Sequence, residues 1–164
     1  MIDELLALAD ELSRRADVVA RRRAISTAYY AAFHALCDLI AGSLVEEQNS
    51  PLFEKIYRHL DHKHLDKDII FAIEGADPKE FDAIRIGLRN LRQLREAADY
   101  APYGSDEVFD DASYLTNTRE VVQKIKKIDP VKRRHLALNI LIGGGKARLS
   151  ATYRPPSRTK SEMK

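Results

Sequence analysis

The stretch Arg22–Gly42, RRAISTAYYAAFHALCDLIAG, limits the fold more than any other part of the chain. Ile25, Ala28, Tyr29, Ala32, Phe33, Leu36, Leu39 and Ile40 recur at three- and four-residue steps, the period of one helix face. The other face, with Ser26, Thr27, Tyr30, Ala31, His34 and Ala35, is small or only mildly polar. No formal charge stands between Arg23 and Asp38 unless His34 is protonated. A helix without a charged face has to be enclosed by other helices. Its length approaches that of a membrane span, but the Ser, Thr, Tyr, His and Asp within it argue against lipid. The expectation is the central helix of an all-α protein.

A first helix is expected over residues 2–20, with Ile2, Leu5, Leu6, Ala9, Leu12, Ala16 and Val19 as its stripe. Ser50-Pro51 and Asp77-Pro78 are helix starts, each a capping side chain before a proline that presets the first turn. The first opens a short helix through Leu60, and residues 61–76 read as an irregular connection. The second opens a long helix with the stripe Phe81, Ile84, Leu88, Leu91, Arg95, Ala98. Ser105 can cap a further helix that buries Leu115, Val122, Ile125 and Ile128, and Asp129-Pro130 starts another. The run Gly143-Gly144-Gly145 should end that last helix and leave a flexible tail over 143–164. Its spacing before Lys146 is not that of a phosphate loop.

With 164 residues the chain can bury one core, so residues 1–142 are expected to form a single domain. The one cysteine, Cys37, lies on the central helix and reads as a small buried hydrophobe. Met1-Ile2-Asp3-Glu4 lacks the basic start of a signal peptide, so a cytoplasmic location is expected. The net charge of +2 is unevenly spread. From Pro130 onward nine basic residues face Glu162 alone, a net +8, while residues 1–129 carry 18 basic and 24 acidic side chains, a net −6. A basic tail of this kind suits a polyanion or an acidic partner.

RRAISTAYYAAFHAL, followed much later by LRQLREAADYAPYG, resembles the HEPN domain (higher eukaryotes and prokaryotes nucleotide-binding). The likeness is to a prokaryotic branch with a Tyr-Tyr pair on its second helix and an Arg-x-x-Ala-Asp-Tyr ending on a later one. It covers roughly residues 1–130, and His62 in DHKH stands where that branch tends to carry a histidine. The resemblance implies an antiparallel bundle of four to five helices that pairs as a homodimer. It also implies a toxin–antitoxin or defence component directed at RNA, often with a nucleotidyltransferase-type antitoxin partner, and no membrane or cofactor. Ribonuclease members carry Arg-x(4–6)-His on the later helix and cleave without metal. Here Asp99-Tyr100 occupies that position, and the next histidine is His135. A carboxylate is a poor acid at neutral pH and repels phosphate, so the expectation is either a divergent metal-independent ribonuclease or an RNA binder.

The candidate catalytic set is Arg95, Asp99 and Tyr100, with His62 from the resemblance and Tyr29, Tyr30 and His34 in support. Arg95 falls on the apolar seam of its own helix, where a guanidinium needs a partner. Either it pairs with Asp99 at i,i+4 spacing and locks two helices together, or its planar fork holds a phosphate. Arg85, Arg89 and Arg92 form a basic row that, with Arg22, Lys132, Arg133 and Arg134, is the candidate RNA-contacting surface. Arg58 and His64 have the ribonuclease spacing but stand on the short helix and the connection after it. The histidines and aspartates of residues 59–68 lack the paired spacing of a metal site and read as a solvated loop. Two alternatives remain at this stage: a non-catalytic adaptor with a structural Arg-x-x-Ala-Asp-Tyr, and a nucleotide or small-ligand binder.

Overall fold

The computed structural model describes residues 1–60, 78–102 and 112–152, the side chains of 78–80 and 142–152 excepted. The described residues form six helices and no strand: α1 (Ile2–Ser13), α2 (Val18–Leu44), α3 (Pro51–His59), α4 (Pro78–Tyr100), α5 (Ser113–Lys127) and α6 (Pro130–Thr152). The chain is all-α, as expected.

Helix α2 is central, and each of the other five helices packs against it. It is buried along most of its length, from Ala20 through Ile25, Tyr29, Phe33 and Leu36 to Ala41, while Arg23, Asp38 and Gly42 are exposed. Alanines at 20, 24, 28, 31, 32, 35 and 41 carry much of this contact. They combine the best helix propensity with the smallest side chain, so neighbouring backbones can come close. By length and composition α2 could cross a membrane, yet 78% of its most apolar window is buried inside the protein. Enclosure by helices is what its uncharged faces called for.

The first helix ends earlier than its stripe implies. Asp17 is extended (φ −79, ψ 137), and its carboxylate accepts a hydrogen bond from the Ala20 N–H at 2.8 Å. That cap starts α2 at Val18, so α1 stops at Ser13 and Ala16 and Val19 are exposed. The apolar stripe runs across the boundary because residues 2–20 happen to keep a helical period through the turn. A capping aspartate among Arg and Ala gives only a weak signal without Gly or Pro beside it.

The other starts fall where proline marks them. Ser50 accepts from the Phe53 N–H at 3.2 Å with Pro51 in the first turn, and Asp129 accepts from the Val131 N–H at 2.9 Å ahead of α6. Helix α5 begins at Ser113 behind Ala112, which supplies no side-chain cap; Ser105 lies outside the described residues. Helix α6 does not stop at Gly143 but continues to Thr152. Glycine disfavours a helix by only about 1 kcal/mol per residue and, unlike proline, keeps its N–H, so the run weakens α6 without breaking it.

The stripe of α4 is buried as its period requires: Phe81, Ile84, Leu88, Leu91 and Ala98 all lie in the core. Tyr114, Leu115, Val121, Val122 and Ile125 of α5 and Leu136, Ala137 and Ile140 of α6 complete it. Gly87 sets the approach of α4 to α5: a Cβ there would stand 2.2 Å from Val121 Cγ2. Gly87→Ala should therefore destabilise the fold by about 1–3 kcal/mol, the usual effect of overpacking. Val121→Ala in the same chain should return a large part of that loss. Urea unfolding of the two single variants and the double variant measures the coupling, and additive effects would remove this account of Gly87.

Candidate functional site

The enclosed helix α2 carries one polar row: Arg22, Ser26, Tyr30, His34 and Asp38, each four residues after the last. Residues at this spacing lie one above another along a helix face. Over sixteen residues the row extends roughly 24 Å. Because most of α2 is enclosed, Arg22, Ser26, Tyr30 and His34 are buried or half-buried, while Asp38 is exposed.

The N-terminal half of the row meets the end of α4. Arg22 Nη1 donates to the carbonyls of Ala101 at 2.7 Å and Ala98 at 3.4 Å, and Nη2 to that of Pro102 at 3.1 Å. It thus satisfies carbonyls that the end of a helix leaves without partners and places a cation at the negative end of the helix dipole. Ser26 Oγ donates to Asp99 Oδ1 at 2.7 Å. Arg95 Nε lies 2.7 Å from Asp99 Oδ2, but off the line of its N–H, so this is an ion pair more than an aligned hydrogen bond. Arg95 also donates to the Tyr30 hydroxyl.

Asp99 is therefore shared between Ser26 of α2 and Arg95 of its own helix. The Arg95 and Asp99 side chains are 22% and 20% exposed, although Asp99 as a whole residue lies at the surface. The carboxylate, which makes the bonds, is the sheltered part of the residue. Burial is the largest influence on Arg95 and pulls its pKa down; the Asp99 carboxylate, then Tyr30, then Tyr100 more than offset it, and the net shift is upward. The guanidinium is thus a fixed cation. Its carbon sits 5.8 Å from the centre of the Tyr100 ring, which is 75% exposed.

The C-terminal half of the row meets α3. His34 Nδ1 and the Tyr57 hydroxyl are 2.6 Å apart, and the two rings stack at 5.8 Å and 19°. Tyr30 and His34 have ring centres 6.4 Å apart, so the row is continuous from Arg95 to Tyr57. Burial lowers the pKa of His34, with Asp38 acting against the shift; burial also raises that of Asp38, with His34 acting against it. Tyr29 is core, pushed up to about 12 by burial against the pull of Arg92 and Arg95. Cys37 is fully buried and pushed up to about 12 by burial and then by Asp38, the state of a packed, unreactive thiol.

The basic row of α4 divides. Arg85 pairs with Asp82 at 2.6 Å and Arg92 with Glu96 at 2.9 Å, whereas Arg89 is exposed. Arg133 donates to the carbonyls of Ile128 and Lys126 at the end of α5, as Arg22 does at the end of α4. Lys132 and Arg134 are exposed. The structure brings together Arg95, Asp99, Tyr100, Tyr30 and Ser26, and places His34 one turn further along α2. His62 and His64 lie outside the described residues. Ser26 and Tyr57 were not among the candidates. The four-residue row that includes Ser26 was visible in the sequence, but nothing in it pointed to α3 as the partner of His34.

No protein-family model, curated protein or solved structure matches this chain.

Two measurements check this arrangement. Asp99→Ala leaves the Ser26 hydroxyl without its acceptor and Arg95 without its counter-ion, and should cost about 1–3 kcal/mol in urea unfolding. Asp99→Asn keeps an acceptor for Ser26 and should cost less. His34, with its folded pKa below the ordinary 6.5, should support stability fully above pH 6.5 and lose it as the pH falls through the lowered value. His34→Gln should flatten that part of the pH–stability curve; an unchanged slope would show that His34 does not set it.

Proposed function

We propose that this chain is a HEPN-type, RNA-directed protein of a toxin–antitoxin or defence system, acting in the cytoplasm as an RNA binder. Arg95 contacts phosphate and Tyr100 stacks on a base. One observation carries this reading: a guanidinium held by Asp99 and Tyr30 stands beside an aromatic ring that is 75% exposed. A fixed planar cation with an open aromatic face fits single-stranded RNA, whose bases are free to stack. Arg89 and Arg134 are further exposed cations that a polyanion can meet. The fold is read as an antiparallel bundle that pairs as a homodimer, with a nucleotidyltransferase-type antitoxin as its partner.

Binding is favoured over cleavage by the chemistry of the site. Asp99 already neutralises part of the Arg95 charge, so a phosphate gains less there than at an unpaired arginine. His34, the described histidine nearest the motif along the row, has Nδ1 engaged with Tyr57. A second reading has its own support. The bonds of Ser26 to Asp99 and of Arg22 to the end of α4 are those of a structural lock, as a non-catalytic adaptor would need.

Tyr100→Ala separates the two readings, because an exposed ring adds little to folding. Labelled RNA oligonucleotides in EDTA, followed by fluorescence anisotropy, should bind the wild type with a steep salt dependence. Tyr100→Ala should lose about 1–3 kcal/mol of affinity, roughly 5- to 150-fold, at an unchanged melting temperature. RNA affinity equal in both proteins would leave the adaptor reading. Cleavage in EDTA that disappears in folded Arg95→Ala would make the protein a metal-independent endoribonuclease instead.

A further inference from the structure

The C-terminal half of the polar row borders an open groove of 460 Å³ between α2, the turn before α3, and α3 itself. That volume lies within the roughly 300–1,000 Å³ of small-molecule sites. We propose that this groove binds a small aliphatic amine with an apolar stem, of the diamine or polyamine class, with one ammonium held by Asp38. The site is independent of the RNA reading, since it shares no residue with the Arg95 cluster.

One wall is built from rings. Phe53 is buried and stacks on Tyr57 at 6.0 Å and 29°, and Tyr57 stacks on His34 at 5.8 Å and 19°. The His34–Tyr57 hydrogen bond fixes two of the three rings in place. A preformed apolar wall of this kind accepts a methylene chain without a large ordering cost.

The polar groups then determine the sign of the ligand. Glu54 pairs with Arg58 at 2.6 Å, and the Ser50 hydroxyl is used in capping α3. The amine of Met1, which also lines the groove, pairs with Glu4 at 3.0 Å. Asp38 makes no ion pair or hydrogen bond among the described residues; the Met1 amine and Lys126 act on it only through the field. Asp38 is exposed at the edge of this apolar wall and has no ion pair among the described residues, so it favours a cation and repels an anion. Burial also holds His34 toward its neutral form, so the imidazole does not supply that charge near neutral pH. Glu54 sits in the same lining and can take a second ammonium in exchange for exposed Arg58.

Isothermal titration of the full chain with spermidine and with putrescine tests this, with butanol as the uncharged control. The amines should bind and the alcohol should not. Asp38→Asn should weaken amine binding by roughly tenfold or more, the usual effect of losing a charged hydrogen-bond partner. This variant should fold as well as the wild type, because Asp38 is exposed and makes no ion pair or hydrogen bond among the described residues, and a thermal melt confirms it. Arg95→Ala should bind the amines as the wild type does, so loss of RNA binding and loss of this site are told apart. Absence of heat with either amine would overturn the proposal. So would equal binding by Asp38→Asn, which would mean diffuse attraction to the acidic body of the chain.

Discussion

The structure depends on the enclosure of most of α2. A helix enclosed over most of its surface has little water to satisfy its polar groups, and an unpaired polar group in such a place is costly. Arg22, Ser26, Tyr30 and His34 therefore each need a partner on another element. They find it at the end of α4 and on α3. The enclosure supplies the burial energy, and the polar row sets how the neighbouring helices must sit. An apolar helix with alanine at so many positions could slide or rotate against its neighbours at little cost. Bonds at one-turn intervals remove that freedom.

Asp99 is the centre of this arrangement. It accepts from a serine on α2 while facing an arginine of its own helix, so one carboxylate joins α2 to the Arg95 cation on α4. The same bonds that lock the helices hold Arg95 in place beside the exposed Tyr100 ring. Structural and binding roles are thus not exclusive here. A guanidinium held rigid by its neighbours loses less entropy on meeting a ligand than a free surface arginine does.

Much of the fold was legible in the residues because its signals are local. The apolar stripe of α4, the proline-marked starts at Pro51, Pro78 and Pro130, and the seam position of Arg95 follow from helical period and capping chemistry alone. The Arg95–Asp99 pair follows from i,i+4 spacing. The boundary between α1 and α2 was misplaced because an apolar period continued through a turn that one aspartate imposes. The last helix runs past Gly143, because the cost of glycine is one that a helix already formed can bear, so glycine by itself marks no reliable stop.

What the sequence determined by itself is the all-helical class, the enclosed central helix and the presence of a cation where an apolar side chain is expected. These depend on short-range steric and capping rules that act within one or two turns. Tertiary structure alone decided the partners. Two arginines that read as RNA contacts, Arg22 and Arg133, are spent on the carbonyl ends of α4 and α5. Ser26 meets a carboxylate seventy-three residues away, and His34 meets Tyr57 rather than the motif. A charged or hydroxyl side chain carries no mark of which distant group will satisfy it. That choice is made only when packing removes the water that would otherwise serve as well.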